Sequence, residues 1–129
     1  AELLAKSWVA IQPSMVEGWG ITVIEANSSG TPVIASDVNG LRDSVVDRKT
    51  GVLVEAKNSD AIASAMTDFV IDDTYRGIIS KQAYIWSQNF NWDHSAQIFY
   101  RVIVNTLDHR MKVGVFQEAQ ALLAKKNSG

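Results

Sequence analysis

The chain has 129 residues, 47% of them hydrophobic, with no cysteine and a formal net charge of −2. That length suits one domain with one core, and the composition excludes a wholly disordered chain. The charge balance argues against nucleic-acid binding through a basic field; the lack of cysteine excludes disulfides and thiolate metal sites and fits a reducing compartment. No apolar run reaches the ~18 residues of a membrane-spanning helix.

In chain order, Ala1 to Ser7 reads as the end of a helix whose earlier turns precede it, so the sequence is expected to be a fragment of a longer polypeptide. Trp8-Val9-Ala10-Ile11 reads as a short strand closed by Pro13. A helix follows from Ile21 to Ser29, stopped by Gly30 and kept from resuming by Pro32. Val33-Ile34-Ala35 and Val52-Leu53-Val54 form two more apolar strands, separated by a short helix from Leu41 to Val46. Strands of this kind, alternating with helices, predict an α/β fold with a parallel sheet covered on both faces.

The later half is expected to be helical. Ile62, Met66, Phe69 and Val70 make one apolar stripe over Ser59 to Ile71, with Ser59 as the cap. Tyr75, Ile79, Ala83 and Trp86 make another over Thr74 to Gln88. From Asp93, placed near a cap, the stripe is Ala96, Phe99, Ile103 and Leu107. Met111, Val115, Ala119 and Leu122 carry the pattern into a terminal helix, and Lys125 to Gly129 is expected to fray. Three strands make a thin, Rossmann-like partial sheet with unpaired edges, which predicts self-association of the fragment or modest stability.

The chemistry concentrates in Glu17-Gly18-Trp19-Gly20-Ile21-Thr22-Val23-Ile24-Glu25. The loop from Pro13 to Gly20 leaves the carboxyl end of the first strand, the edge where open α/β sheets hold ligands. Gly18 and Gly20 permit close backbone approach, and the amides of Gly20, Ile21 and Thr22 face out of a helix start that favours anions such as a diphosphate. Glu25 lies among apolar neighbours, where a carboxylate needs a partner, and a carboxylate can grip a vicinal diol such as a ribose. It sits roughly 6 Å deeper along the helix axis. Glu17, on the other side of the glycines, is placed to hold hydroxyls at the opposite end of the same ligand. A nucleotide sugar has that order of parts.

Glu17 to Glu25 resembles the E-x7-E motif of retaining glycosyltransferases with the GT-B fold, family 4 of that class, also described as glycosyl transferases group 1. Pro13-Ser14, Glu25-Ala26, Gly30-Thr31-Pro32-Val33-Ile34-Ala35-Ser36, Gly51-Val52-Leu53-Val54 and Phe90-Asn91-Trp92-Asp93 are similar to the family's pattern in the same order. The resemblance covers most of residues 1–105. It implies that residues 1–110 are a partial nucleotide-sugar (donor) binding domain, the later part of a C-terminal GT-B domain, followed by a C-terminal helix and tail over 111–129. It further implies that Glu17 contacts hydroxyls of the transferred hexose and is the catalytic glutamate. Gly18, Trp19, Gly20, Ile21 and Thr22 would lie along the sugar and diphosphate, and Glu25 with Val23 at the ribose. The family generally needs no divalent metal, so no cofactor is implied beyond the nucleotide-diphosphate sugar substrate.

The basic clamp on the diphosphate and the acceptor domain of such enzymes lie upstream of residue 1, so the isolated chain is expected to be inactive. The resemblance places the parent enzyme in the cytoplasm, with any peripheral membrane contact made through that parent; Lys112, Lys125 and Lys126 are too dispersed to mark a lipid surface. Trp19 stands where phenylalanine is commoner. Asn39-Gly40 stands where many relatives have two glycines, Asn being tolerant of positive φ. Arg42 and Asp43 take no chemical role.

Plainer readings stand beside these. Glu25 can be paired with Arg42 or cap backbone; Glu17 can be a solvated loop acid; Gly18 and Gly20 can serve a tight turn; Trp19 can pack the loop; Thr22 can merely open a helix. Trp8, Trp86 and Trp92 read as core or interdomain packing, and His94 and His109 as residues without catalytic role. The rival function is a non-catalytic α/β interaction or assembly module. A receiver-like phosphoacceptor is disfavoured, because no acidic cluster follows the first strand.

Overall fold

The computed structural model describes residues 2–126, with side chains through Arg110 and at Lys112. The chain forms two compact units, Ala1–Phe90 and Asn91–Gly129. In the first unit the order is α1 (Glu2–Ala5), β1 (Ala10–Gln12), α2 (Ile21–Ser28), β2 (Val33–Ser36), α3 (Leu41–Ser44), β3 (Gly51–Val54), α4 (Ser59–Ile71) and α5 (Asp73–Ser87). The second unit is described by one helix, α6 (Trp92–Lys126).

The three strands form one parallel sheet in the order β1-β2-β3. Register pairs Ile34 of β2 with Ile11 on one side and Val52 on the other. All four residues of β2 are buried, as expected of a strand covered on both faces. Side chains alternate along it. Val33 and Ala35 join Val23, Ala26, Leu41 and Val45 of the α2–α3 layer. Ile34 joins Val52, Val54, Ala65, Phe69 and Ile79 of the opposite layer, built by β3, α4 and α5. The fold is therefore the expected α/β sheet with helices on both faces.

Local chemistry sets the element ends. After α2, the Gly30 amide donates to the Asn27 carbonyl (2.9 Å) and the Thr31 amide to the Ala26 carbonyl (3.0 Å), the double closure of a helix stopped by glycine. Thr31 Oγ1 then donates to the Leu4 carbonyl (2.6 Å), tying α1 to the start of β2. Trp86 Nε1 donates to the Ser44 carbonyl (2.9 Å), fastening the end of α5 to the end of α3.

Several boundaries differ from the sequence expectation. The first strand starts at Ala10 rather than Trp8. Trp8 is 57% exposed and lies against Arg76, whose guanidinium carbon is 4.4 Å from the ring centroid. The cap of α4 is Asn58, whose Oδ1 accepts from the Ala61 amide (2.9 Å), and not Ser59. Likewise Asn91 Oδ1 accepts from the His94 amide (2.7 Å), so Asn91 and not Asp93 caps α6. The buried stripe of α4 is Ala65 and Phe69, which pack with Ile34, Val52 and Val54, while Met66 and Val70 are exposed. Helix α6 runs unbroken past residue 110. Within it Phe99, Ile103 and Leu107 are exposed, as is Trp92, which lies in no core. The expected apolar positions Met111, Val115, Ala119 and Leu122, the lysines Lys125 and Lys126 and the tail lie outside the described side chains.

If Asn58 caps α4, Asn58→Ala lowers the free energy of unfolding by about 1 kcal/mol. Ser59→Ala leaves it within about 0.5 kcal/mol of the parent value. Urea denaturation of the two variants separates the assignments, and equal losses would return the cap to Ser59.

Candidate functional site

The loop between β1 and α2 lies beyond the carboxyl end of the sheet, and the loop between β2 and α3 lies against it. Gly40, with φ 85° and ψ −48°, packs onto the carbonyls of Glu17 and Gly18. A Cβ at position 40 would overlap both oxygens. The positive φ falls on Gly40 and not on Asn39, so tolerance of that conformation by Asn is not what this turn uses. Gly20 also has positive φ (79°), and a Cβ there would meet Leu41 Cδ2 at 2.8 Å and Ser44 Oγ at 2.9 Å. Gly18 has nothing within 4 Å of its Cβ position. Gly20 is thus required by packing, whereas Gly18 leaves an open space above the loop.

Trp19 meets Phe90 edge-on with centroids 4.8 Å apart, and Phe90 meets Trp86 in the same way at 5.1 Å. The loop is therefore anchored by an aromatic contact on one side and by Gly40 on the other. Trp19 takes the plainer of its two readings, as a packing residue, while its backbone stays in the loop.

Glu17 is half-buried. Its Oε2 accepts from Gln12 Nε2 (3.2 Å) and Ser14 Oγ (3.4 Å), and its Oε1 from the Gly18 amide (3.3 Å). These bonds are long, so a ligand hydroxyl can compete with them. Gln12 also reaches the first turn of α2: Thr22 Oγ1 donates to Gln12 Oε1 (3.3 Å). No side chain caps α2, so its leading amides are left without a side-chain acceptor. The Val23 amide is satisfied by backbone instead, donating to the Gly20 carbonyl (2.9 Å). Ile21 is exposed, whereas the Val23 side chain is buried in the core.

Glu25 is exposed, and its carboxylate makes no ion pair among the described residues. The expectation that it needs a partner is overturned: the helix turns Ile24 and Ala26 inward and Glu25 outward. The polar group that is buried is Asn27, 0% exposed, whose carboxamide has no hydrogen-bond partner among the described residues. Glu25 lines a cavity of about 240 Å3 with Gln12, Thr22, Val23 and Ile11. The larger cavity, about 460 Å3 beside Trp86 and Lys49, contains none of the predicted residues.

Arg42 does not reach Glu25. Its Nε lies 2.5 Å from Asp37 Oδ1, and its Nη2 donates to the Asp37 carbonyl (3.1 Å). The hydrogen bond from Arg42 Nε to the Asp37 carboxylate holds the Asp37 carboxyl below its ordinary value and raises the Arg42 guanidinium. The pair braces the turn that carries Gly40. Among the described residues no three His, Asp or Glu side chains gather as a metal-ligand set, and no helix is long and apolar enough to cross a membrane.

Sequence reasoning missed Gln12 and Ser14 as side chains of the site. Their only signal is a polar pair flanking Pro13 at the end of an apolar strand.

A parallel sheet with a glycine-bearing loop and a free helix start at its carboxyl edge is the architecture of α/β ligand-binding domains. Residues 1–86 match the model of the family described as Glycosyl transferases group 1. The chain belongs to that family. It is 36% identical over 96 residues to a D-inositol 3-phosphate glycosyltransferase of Rhodococcus erythropolis, covering 74% of this chain and 22% of that protein. A second D-inositol 3-phosphate glycosyltransferase, from an Arthrobacter species, is 32% identical over 111 residues, covering 82% and 26%. Sucrose-phosphate synthase from Thermosynechococcus elongatus superimposes with a TM-score of 0.72 at 30% identity, over 80% of this chain and 27% of that one. HepE of Anabaena, solved with UDP and glucose, superimposes at 0.76 with 24% identity, over 81% and 29%. The fold is thus similar to domains of GT-B glycosyltransferases, and the chain spans about a quarter of the length of these relatives.

Two predictions test the loop geometry. Gly40→Ala is expected to lower stability by about 2–3 kcal/mol through backbone strain and overlap with the neighbouring loop. Gly18→Ala stays within about 0.5 kcal/mol; thermal unfolding compares them, and equal effects would refute the seating of Gly40. Arg42→Ala is expected to return the Asp37 pKa upward toward 3.8, read by carbon-detected NMR titration. Because the folded-state value is depressed, the stabilisation from this pair is present above the unfolded-state pKa and fades as pH falls through the folded-state one.

Proposed function

We propose that this chain is the donor-binding part of a retaining glycosyltransferase that moves a hexosyl group from a nucleotide-diphosphate sugar to an acceptor. The observation that carries this reading is the contrast between its two acids. Glu17 is held by three weak donors at one end of the loop, and Glu25 has a free carboxylate on a cavity at the other. The uncapped start of α2 lies between them. Glu17 then receives hydroxyls of the transferred sugar, as the catalytic glutamate. Gly18, Trp19, Gly20, Ile21 and Thr22 follow the sugar and diphosphate with their backbone, and Glu25, above Val23, receives the ribose hydroxyls. Carboxylates accept paired hydroxyl donors, and helix-start amides receive phosphate charge.

The diphosphate leaves as charge develops on its oxygens, and donors aimed at that charge accelerate the step. This chain supplies amides for that purpose; the cationic clamp and the acceptor site belong to the remaining three-quarters of such an enzyme. The isolated segment therefore binds donor weakly and does not transfer sugar. We assign no metal to these residues and expect the reaction in the cytoplasm. Family membership and the UDP and glucose bound by HepE support a nucleotide-sugar donor.

Titration calorimetry of the complete protein with UDP-, GDP- and ADP-glucose is expected to identify one preferred donor. Glu17→Ala and Glu25→Ala should each weaken it roughly tenfold or more, the scale of losing charge-assisted hydrogen bonds. Unchanged affinity in the Glu25 variant would refute the ribose assignment. Stable self-association in ultracentrifugation with no nucleotide response would favour an assembly module.

A further inference from the structure

We propose that Gln12 is a positioning residue that sets the orientation of Glu17 and the hydrogen-bond polarity of Thr22. Gln12 is the last residue of β1. It shares its face of the strand with Ala10, which packs on the α2–α3 layer. That parity directs its side chain toward the first turn of α2, and Pro13 carries the chain away immediately after it. The carboxamide therefore stands between the loop acid and the helix start. Nε2 donates to Glu17 Oε2 (3.2 Å) and Ser14 Oγ (2.9 Å), and Oε1 accepts from Thr22 Oγ1 (3.3 Å).

Proton counting gives the arrangement a direction. An ionised carboxylate only accepts, so the group facing Glu17 must be the amide nitrogen. The carbonyl oxygen then faces Thr22, whose single hydroxyl proton is committed to it. Thr22 Oγ1 consequently offers lone pairs to a ligand and no proton. It suits a ligand hydroxyl, and phosphate contact at this residue falls to the backbone amide. One carboxamide thus couples the sugar end of the site to its helix start.

This role rests on the donor reading above, and a double-mutant cycle separates the two. The probe is whichever of UDP-, GDP- and ADP-glucose the parent binds most tightly, titrated into the complete protein. Gln12→Ala is expected to weaken binding roughly tenfold, because Glu17 loses its strongest side-chain anchor. In a Glu17→Ala background the same change should have little effect on affinity. If Gln12→Ala costs the same in both backgrounds, or nothing in the parent, Gln12 has no positioning role while Glu17 keeps its own. If Glu17→Ala leaves binding unchanged, or the parent binds none of UDP-, GDP- and ADP-glucose, both readings fall.

Gln12→Glu preserves shape and covers the case in which the alanine variant does not fold. The introduced carboxyl faces Glu17, with Glu25 the one titratable group lining the adjoining cavity among the described residues. Two carboxyls so close share a proton as pH falls, and the protonated one can donate as the amide does. Relative to the parent, this variant should bind roughly tenfold more weakly at about pH 8 and recover toward about pH 5. A relative affinity flat across that range overturns the proposal.

Discussion

Everything in the first unit is arranged around β2. Its four residues are buried on both faces, and its backbone is hydrogen-bonded to a parallel strand on each side. Such a strand has no solvent face, so two apolar layers must form, one from α2 and α3 and the other from α4 and α5. Parallel pairing has a second consequence. The chain leaves β1 and β2 at the same edge, which brings the Glu17 loop and the Gly40 turn together. A glycine at that meeting lets backbone lie on backbone, and this contact sets the height of the loop above the sheet.

The two acids differ because the same loop treats them differently. Glu17 precedes the helix and is reached by the end of β1, so it is half-buried and oriented. Glu25 follows one helical turn later on the outward face, so it is exposed and free. An oriented carboxylate presents its lone pairs in a fixed direction, whereas an exposed one without a protein partner is open to whatever enters the adjoining cavity. Intramolecular bonds of 3.2–3.4 Å orient the Glu17 carboxylate and are long enough for a competing donor to replace them.

The α/β architecture was legible because β2 and β3 are short apolar runs bounded by glycine or proline, and because Gly30-Thr31-Pro32 stops one element and starts the next. Helix caps were harder to place. Asn58-Ser59 and Asn91-Trp92-Asp93 each offer two residues able to cap, and the choice depends on which side chain reaches the amide three residues on. The α4 stripe misled because Met66 and Val70 are as apolar as core residues, yet the face that meets the sheet is the one carrying Ala65 and Phe69. At the site, the motif marks the acids but not their surroundings. Gln12 belongs to no motif, since its contacts with Glu17 and Thr22 come from strand parity and from a loop that returns to it.

Asn27 shows the same limit from the other side. It follows Glu25-Ala26, and periodicity alone puts it on the buried face of α2. Its carboxamide is fully buried without a protein partner among the described residues, an arrangement that costs on the order of 1–3 kcal/mol unless solvent enters. Glu25, two residues away on the opposite side, is the residue whose charge would have been costlier to bury. The helix cannot turn both outward, because residues 25 and 27 lie about 200° apart on its circumference. Exposing Glu25 to the cavity therefore commits the neutral amide to the interior. The sacrifice falls on the group whose burial is cheaper, and the carboxylate is left where a ligand can meet it.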